Sequence, residues 1–244
     1  MQAVLMAGGK GTRLRPFTNV LPKPLVPIGE ISILELVLRQ LRHFGFEDII
    51  IAVGHKAELI MAVIGDGSRL GLRIRYNHEE SPRGTIGALA EMEGLEENFL
   101  VMNGDICTDM NFADILLNHA SSGVTATVAT FPRREQIELG VIKLDEQQQY
   151  VVSFEEKPTL DVFVSMGVNA FNKSVLDLIP PSSYFGVDSL VLKMIREQIP
   201  IRSHQFDGVW HDIGRPDDYQ RVLNEYEENP HLLLPVRHQW KAAA

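Results

Sequence analysis

Short apolar runs and amphipathic stretches alternate along the first part of the chain. An apolar run that ends at glycines or polar residues predicts a buried β-strand. Such runs cover residues 2–6, 48–53 and 99–103. Between the last two runs, Leu72, Ile74 and Tyr76 alternate with arginines, which predicts a half-exposed strand.

Helical spacing of apolar residues separates these strands. One face of a predicted helix carries Ile33, Leu34, Val37, Leu38 and Leu41. At its start, Ser32 and Glu35 have the spacing of a capping box, in which Ser32 covers a backbone N–H and Glu35 reaches back to another. Further helices are predicted over residues 56–64 and 85–92.

This alternation of strand and helix predicts an α/β fold. Connections of a few residues are typical of parallel βαβ units with helices on both faces of the sheet. Ligands of such sheets bind at the carboxyl ends of the strands. The segments that follow the predicted strands, residues 7–15, 54–56, 77–84 and 104–109, are therefore where we expect the function.

The second half of the chain has more strands and fewer helices. Strand-like patterns cover residues 124–130, 140–144, 151–155 and 164–171. Helical patterns return at residues 187–198 and 216–228, and no periodic pattern follows Asn229. We predict one mixed α/β domain over residues 1–225, with halves at about 1–130 and 131–225, and a C-terminal tail over 226–244.

Composition narrows the class of protein. The chain has 244 residues and 45% hydrophobic content, which allows a large core. No run of about eighteen apolar residues is present, so no transmembrane helix is expected. The N-terminus lacks the basic lead of a signal peptide, and the single cysteine, Cys107, predicts no internal disulfide and a cytoplasmic location.

The net charge and the distribution of basic residues along the chain indicate which classes of partner the protein binds. The net charge of −9 argues against nucleic acid or an anionic membrane as a partner, because phosphate backbones require basic surfaces. A chain this acidic that binds phosphates must concentrate its positive charge. Lys10, Arg13, Arg15 and Lys23 lie together with no acidic residue among them.

A glycine-rich segment, Ala7-Gly8-Gly9-Lys10-Gly11-Thr12-Arg13-Leu14, follows the first predicted strand. Glycines allow close approach of a ligand and turn successive N–H groups toward an anion. A dinucleotide-binding loop would need glycine where Leu14 stands, and a P-loop would need Ser or Thr where Gly11 follows Lys10. Arg13 can hold two phosphate oxygens with its planar guanidinium, and Lys23 follows between two prolines.

Residues 8–14 together with Pro22-Lys23-Pro24-Leu25 resemble the signature of the sugar-nucleotidyltransferase family, which includes glucose-1-phosphate thymidylyltransferases and mannose-1-phosphate guanylyltransferases. Later segments are similar to further motifs of the family, in order: Gly84-Thr85-Ile86-Gly87-Ala88-Leu89, Asn103-Gly104-Asp105, Phe154-Glu155-Glu156-Lys157-Pro158 and Trp210-His211-Asp212-Ile213-Gly214. The resemblance spans roughly residues 1–220. It implies a Rossmann-like nucleotidyltransferase core with a small sugar-binding β insertion, and a Mg²⁺-dependent enzyme that joins a nucleoside triphosphate to a sugar 1-phosphate, as in NDP-sugar and polysaccharide biosynthesis.

The resemblance also implies a role for individual residues. It places the nucleotide against Ala7, Gly8, Gly9, Gly11, Thr12, Arg13, Gly84 and Thr85. Lys23 would contact the reacting phosphates, and Arg13, Lys23 and Asp105 would be catalytic. Asp105 and Asp212 would hold Mg²⁺. The sugar phosphate would meet Glu156, Lys157 and Gly167.

The local sequence leaves several of these roles open. Asp105 after a glycine fits a turn former equally well. Lys157 also fits an exposed lysine at a strand end, and the following Pro158 predicts that its backbone is extended. His211 is predicted to be structural, because neighbouring residues of a strand point to opposite faces.

The nucleobase is predicted from the residues before Gly84. Relatives that use thymidine or uridine nucleotides typically carry Gln here, whereas this chain has Glu79 and Glu80. A carboxylate only accepts hydrogen bonds, which suits the two adjacent donors of guanine. We therefore hypothesise GTP, with Glu79 as the reader, Glu80 as the second candidate, and two solvated glutamates as the alternative.

The sequence leaves alternatives open for the identity of the sugar and for the class of protein. The Gly-Thr-x-Gly-Ala-Leu run resembles guanylyltransferases of the mannose and heptose type, and this resemblance favours such a sugar, although Ser165 departs from the motif of many relatives. The rivals are a non-catalytic paralogue that binds nucleotide sugars, and a transferase with a non-sugar phosphate acceptor. The non-catalytic paralogue is disfavoured because the loop arginine, the lysine and both aspartates are present. The non-sugar acceptor is disfavoured because the sugar motif Glu156-Lys157-Pro158 is present. A homodimer is the expectation from family habit.

Overall fold

The computed structural model describes residues 1–79 and 81–233. Its strands are β1 (Gln2–Met6), β2 (Pro27–Ile28), β3 (Ile31–Ser32), β4 (Asp48–Val53), β5 (Arg73–His78), β6 (Asn98–Asn103), β7 (Ile106–Thr108), β8 (Ala126–Gln136), β9 (Val141–Leu144), β10 (Val151–Glu155), β11 (Thr159–Asn172), β12 (Ile201–Gln205) and β13 (Trp210–Asp212). Its α-helices are α1 (Ile33–His43), α2 (Ala57–Ile64), α3 (Phe112–Ala120), α4 (Val187–Arg196), α5 (Pro216–Glu228) and α6 (Pro230–Leu233).

The central sheet has seven strands in the order β12-β8-β11-β6-β1-β4-β5. β6, β1, β4 and β5 are parallel, β12 is parallel to β8, and β11 is antiparallel to both of its neighbours. Alternate residues of β1 enter opposite cores: Ala3 and Leu5 pack with α1, and Val4 packs on the side of α4. The predicted mixed, mostly parallel α/β fold with helices on both faces is confirmed.

Ser32 caps the start of helix α1 as predicted, and its Oγ accepts a hydrogen bond from the Glu35 N–H at 3.2 Å. The second half of the predicted capping box is wrong. The Glu35 carboxylate does not reach back to Ser32; it pairs with Arg39 at 2.6 Å and Arg69 at 2.7 Å. Two guanidiniums compete successfully with one backbone N–H for the same oxygens, because ion-paired hydrogen bonds are the stronger ones.

The helix predicted over 85–92 is instead a 3₁₀ helix over Gly87–Glu91. Its start is held by another segment, because the N–H groups of Ile86 and Gly87 both donate to the Phe185 carbonyl at 3.1 and 3.0 Å. Gly84 has a φ of +80°, and a Cβ there would lie 2.6 Å from the Phe185 oxygen. This tertiary contact overrides the local helical pattern.

The C-terminal boundary predicted at residue 225 falls inside α5, which runs over Pro216–Glu228 as its own pattern predicts. α6 follows, and Leu233 is buried with Ile33 and Val222 in a third apolar cluster. The Leu233 carbonyl accepts a hydrogen bond from Gln40 Nε2 at 2.7 Å. Residues 226–233 therefore belong to the fold rather than to a tail, and residues 234–244 lie outside the described part.

The β insertion is formed by the outer ends of β8 and β11 and by a separate antiparallel pair, β9 and β10. Most of its side chains are exposed, Phe154 and Phe163 among them. A register shift in β11 between Ser165 and Asn169 separates this part from the central sheet. Of the helices in the described ranges, none is long and apolar enough to cross a bilayer.

Candidate active site

The glycine-rich segment crosses the carboxyl end of the sheet directly after β1. The Ala7 N–H donates to the Ala52 carbonyl at 2.9 Å, and the His55 N–H donates to the Gly8 carbonyl at 3.3 Å, so the segment is anchored to the end of β4. Leu14 is fully buried in a short 3₁₀ helix over Thr12–Leu14. The buried leucine fixes this turn and leaves the neighbouring Arg13 exposed to the cavity beside it.

Gly11 joins this segment to Lys23. It has a φ of +59°, which side chains rarely adopt, and a Cβ there would lie 2.9 Å from Lys23 Cβ. Its carbonyl accepts hydrogen bonds from the Leu14 N–H at 3.0 Å and from Thr18 Oγ1 at 2.9 Å. The close approach brings the lysine side chain beneath the glycine-rich segment.

Gly11→Ala is expected to lower the free energy of unfolding by about 1–3 kcal/mol, because a left-handed alanine is strained and its Cβ presses on Lys23. Gly9→Ala is the matched control, since a Cβ at Gly9 has no heavy atom within 4 Å. Urea unfolding of both variants checks the difference. Equal stability of the two variants would contradict this role of Gly11.

Lys23, Asp105 and Asp212 meet at the floor of the site. Lys23 is 8% exposed. Its Nζ lies 2.6 Å from Asp105 Oδ2 and 4.0 Å from Asp212 Oδ1. Asp105 follows β6, and the antiparallel pairing of β7 with β13 places Asp212 opposite Ile106. Strand pairing thus brings together two carboxylates that are far apart in sequence.

A cavity of about 400 Å³, here called the central cavity, lies above these three side chains. The residues from the sequence prediction that line it are Ala7, Gly8, Gly9, Gly11, Arg13, Lys23, Glu79, Gly84, Thr85, Asp105 and Asp212. Thr12 is exposed and does not line it. Three cations, Arg13, Lys23 and Arg83, face three carboxylates in its lining, so the cavity is close to neutral.

One wall of the central cavity follows β5. Glu79 is half-buried there, and its Oε2 accepts a hydrogen bond from the Arg83 N–H at 3.3 Å. Burial raises the pKa of the Glu79 carboxyl above its ordinary value, against the opposing effect of that hydrogen bond. The Arg83 side chain forms an ion pair with Glu91, which holds this wall in place. Glu80 lies outside the described residues.

An adjoining cavity of about 300 Å³ opens beside Asp212 and contains Gly167, one of the predicted sugar-binding residues. Gly167 has a φ of +73°, and a Cβ there would lie 2.7 Å from Asn103 Nδ2. Ser165, Asn103 and Asn169 add polar groups to its lining. Thr85 lines both cavities, but its hydroxyl accepts a hydrogen bond from the Val187 N–H at 2.9 Å.

The structure does not bring Glu156 and Lys157 to either cavity. Both follow β10 in the insertion, where Lys157 Nζ lies 3.8 Å from Glu138 Oε2 and the Glu156 carboxylate lies beside Gly140. The extended backbone predicted for Lys157 is wrong: its φ is +47°, in the left-handed region. Lys157 lies in the short bend between β10 and β11, and its conformation still avoids the right-handed helical region that a following proline disfavours.

Some lining residues were missed from the sequence. Asn103 and Asn169 lie in or beside recognised motifs, but nothing local distinguishes them from other strand residues. Asn169 is 2% exposed, and its Oδ1 has no hydrogen-bond partner among the described residues. A buried amide oxygen without a partner is a signal that only the folded chain provides. His211 Nε2 lies 2.7 Å from Glu225 Oε2, a structural contact of the expected kind.

A glycine-rich turn, a buried lysine and two carboxylates at the carboxyl edge of a parallel sheet are typical of nucleotide-binding α/β proteins. The chain belongs to the nucleotidyl transferase family, whose profile matches residues 2–229.

Individual relatives agree with this assignment. The chain is 30% identical over 243 residues to a UTP–glucose-1-phosphate uridylyltransferase of Synechocystis sp., covering 91% of this chain and 62% of the relative. It is 32% identical over 232 residues to the mannose-1-phosphate guanylyltransferase catalytic subunit beta of Dictyostelium discoideum, covering 93% and 64%. A crystal structure of HddC from Yersinia pseudotuberculosis has the same fold, with a TM-score of 0.70 at 22% identity over 92% of this chain and 99% of that one. The chain thus spans less than two thirds of the length of these two curated relatives.

Proposed function

We propose that this chain transfers a nucleotidyl group from a nucleoside triphosphate to a sugar 1-phosphate and releases pyrophosphate. The observation that carries the proposal is the position of Lys23, within 2.6 Å of Asp105 and 4.0 Å of Asp212 beneath the glycine-rich segment. A buried ammonium and two carboxylates beside an anion-binding turn suit two phosphate substrates that react with each other. Curated relatives with uridylyl- and guanylyltransferase names support the same reaction class.

The reaction is a direct displacement at phosphorus. An oxygen of the sugar phosphate forms a new bond to the α-phosphorus, and the bond from that phosphorus to the bridging oxygen breaks. The electron pair leaves with pyrophosphate. The attacking oxygen is already ionised, so the residues of this chain position the two anions and neutralise their charge rather than abstract a proton. Lys23 reduces the repulsion between the substrates, and Arg13 with the loop amides binds the triphosphate.

The donor set fits the predicted Mg²⁺. Asp105 and Asp212 supply carboxylate oxygens, and Mg²⁺ at phosphate sites usually takes one or two carboxylates while substrate phosphates complete its shell. No group of three or more His, Cys, Asp or Glu side chains in residues 1–79 and 81–233 is arranged as a metal site. Bound there, Mg²⁺ would neutralise charge on the reacting phosphates.

Guanine is the base that the central cavity suits best. The half-buried Glu79 carboxylate lies beside Gly8 and accepts from a backbone N–H, which leaves acceptor capacity for the ring N–H and amino group of guanine. Guanylyltransferases are among the relatives at 32% identity, but a uridylyltransferase matches at 30%, so the names alone do not choose the base.

Glu79→Gln is expected to raise the KM for GTP about 10-fold, because the amide presents one acceptor where the carboxylate presents two. In the parent protein the KM for GTP should also rise on acidification, since Glu79 loses its acceptor character as pH falls toward its raised pKa. The variant should lack this pH dependence. Steady-state kinetics across pH check both effects. An unchanged KM with an unchanged pH profile would favour a solvated Glu79.

We assign the sugar to the adjoining cavity, with mannose- or heptose-type sugars favoured. Gly167 allows close approach there, and the buried Asn169 amide and the Asn103 side chain offer hydrogen bonds to sugar hydroxyls. Glu156 and Lys157 remain candidates for the sugar phosphate, although they lie in the insertion and away from the cavity lining. The homodimer and the cytoplasmic location stay predictions.

Pyrophosphate release tests the proposal. Five nucleoside triphosphates are each paired with mannose, glucose and heptose 1-phosphates, and with phosphocholine as a non-sugar acceptor, in the presence of Mg²⁺. Turnover with one pair, strongest with GTP, is the expected result. A silent panel with retained nucleotide binding would favour the regulatory paralogue, and turnover with phosphocholine alone would favour the non-sugar acceptor.

A further inference from the structure

A third cavity, of about 500 Å³, lies between β8, β13 and the start of α5. We call it the arginine cavity, and the charged groups that define it are Arg13, Arg133, Arg215, Arg221, Asp212 and Asp218. It shares Arg13 and Asp212 with the central cavity, so the two spaces meet at the proposed reaction centre.

The arginine cavity carries an excess of positive charge. Four arginines face two aspartates, and of the four only Arg133 forms an ion pair within residues 1–79 and 81–233, with Glu135. The guanidiniums of Arg13, Arg215 and Arg221 therefore lack a carboxylate partner among these residues. In a chain of net charge −9, where acidic groups are abundant, such a concentration indicates an anionic ligand.

The arginines come from parts of the fold that are held in place. Arg215 precedes α5, and its N–H donates to Asp218 Oδ2 at 3.1 Å. Within α5, Val222 is fully buried and the Tyr219 hydroxyl donates to the Pro27 carbonyl at 2.8 Å. Arg221 thus belongs to a helix that is fixed to the core, and it lines the same cavity as Arg13.

We propose that the arginine cavity binds the terminal phosphates of the nucleoside triphosphate and then the pyrophosphate that leaves. This inference rests on the proposed function and extends it. When the bond between the α-phosphorus and the bridging oxygen breaks, the electron pair stays on that oxygen, so negative charge develops on the pyrophosphate. A planar guanidinium can donate hydrogen bonds to two phosphate oxygens at once. The central cavity is nearly neutral, so the positive charge that would stabilise the leaving pyrophosphate comes from the adjacent arginine cavity.

The phosphate of the sugar 1-phosphate is also an anion that these guanidiniums can bind. The experiment therefore distinguishes pyrophosphate from the sugar phosphate as the ligand of the arginine cavity. Arg215→Gln and Arg221→Gln are compared with the parent protein and with Arg196→Gln, an exposed arginine at the end of α4. The measurements are the inhibition constant of pyrophosphate and the KM of the sugar 1-phosphate. Thermal melting confirms that each variant is folded.

We expect each cavity variant to raise the inhibition constant of pyrophosphate about 10-fold, because each variant loses one charged hydrogen-bonding group. The KM of the sugar 1-phosphate should stay within about twofold, and Arg196→Gln should change neither constant. An unchanged inhibition constant overturns the proposal. A raised KM for the sugar phosphate without a change for pyrophosphate overturns it in favour of the other source.

Calorimetric titration with pyrophosphate alone separates this inference from the proposed function. If no substrate pair turns over but the parent protein binds pyrophosphate and the cavity variants bind it about 10-fold more weakly, the cavity assignment stands without the transferase. If turnover is normal and all four proteins bind pyrophosphate equally, the transferase stands and the cavity assignment fails. Binding should also weaken as salt concentration rises.

Discussion

Lys23→Met is expected to lower kcat/KM by about 100- to 1000-fold, because it removes a preorganised positive charge from the point where two anionic substrates meet. Methionine keeps an unbranched apolar stem, so contact with the turn at Gly11 is retained. The ammonium lies 2.6 Å from Asp105 and is almost fully enclosed by the protein, which makes its electrostatic effect larger than that of a surface lysine. Steady-state kinetics of the purified variant measure the loss.

A control variant and the exposure of Asp105 separate a loss of activity from a loss of folding. Lys143→Met, at an exposed lysine of β9, is the control and should retain parent activity. Asp105 loses its ion-pair partner in Lys23→Met, but its side chain is 20% exposed and can be hydrated, so the protein should fold. A folded variant with parent kcat/KM would show that Lys23 serves stability and not the reaction.

Asp105→Asn is expected to reduce kcat by about 1000-fold at ordinary Mg²⁺ concentrations, because a neutral amide replaces one of the two carboxylates proposed as ligands. Asparagine has nearly the same shape as aspartate, so folding should be preserved. The variant should also need a higher Mg²⁺ concentration for half-maximal activity. Initial rates over a series of Mg²⁺ concentrations give both quantities.

The matched control for this change is Asp109→Asn. Asp109 lies just after β7, and its Oδ1 accepts a hydrogen bond from the Val209 N–H at 2.8 Å, a contact that asparagine preserves. It should leave both the rate and the Mg²⁺ dependence unchanged. Equal losses in the two variants would mean that Asp105, like Asp109, supports the local backbone.

The sequence predicts the central sheet well because its strands are nearly continuous apolar runs. β1, β4 and β6 are buried on both faces, so Val4 and Leu5 are apolar for the same reason although they enter opposite cores. Helix α5 is predicted to its end residues because Pro216 stands at its first position, where a missing N–H costs nothing.

Features that depend on distant contacts are not available from local sequence. The backbone near Gly84 is held by Phe185, so a helical pattern becomes a 3₁₀ helix. The approach of Asp212 to Asp105 depends on strand pairing between β7 and β13, and only the family resemblance implies it beforehand. The arginine cavity likewise combines residues from a turn, a strand and a helix, and no single motif contains them.

The most direct test of the transferase uses a sugar 1-phosphate labelled with oxygen-18 at every phosphate oxygen, together with the nucleoside triphosphate that gives the fastest pyrophosphate release. Mass spectrometry follows both products. We predict equal amounts of NDP-sugar and pyrophosphate, with all of the label in the NDP-sugar and none in the pyrophosphate. Label in pyrophosphate, or hydrolysis of the triphosphate without any NDP-sugar, would contradict attack by the sugar phosphate on the α-phosphorus.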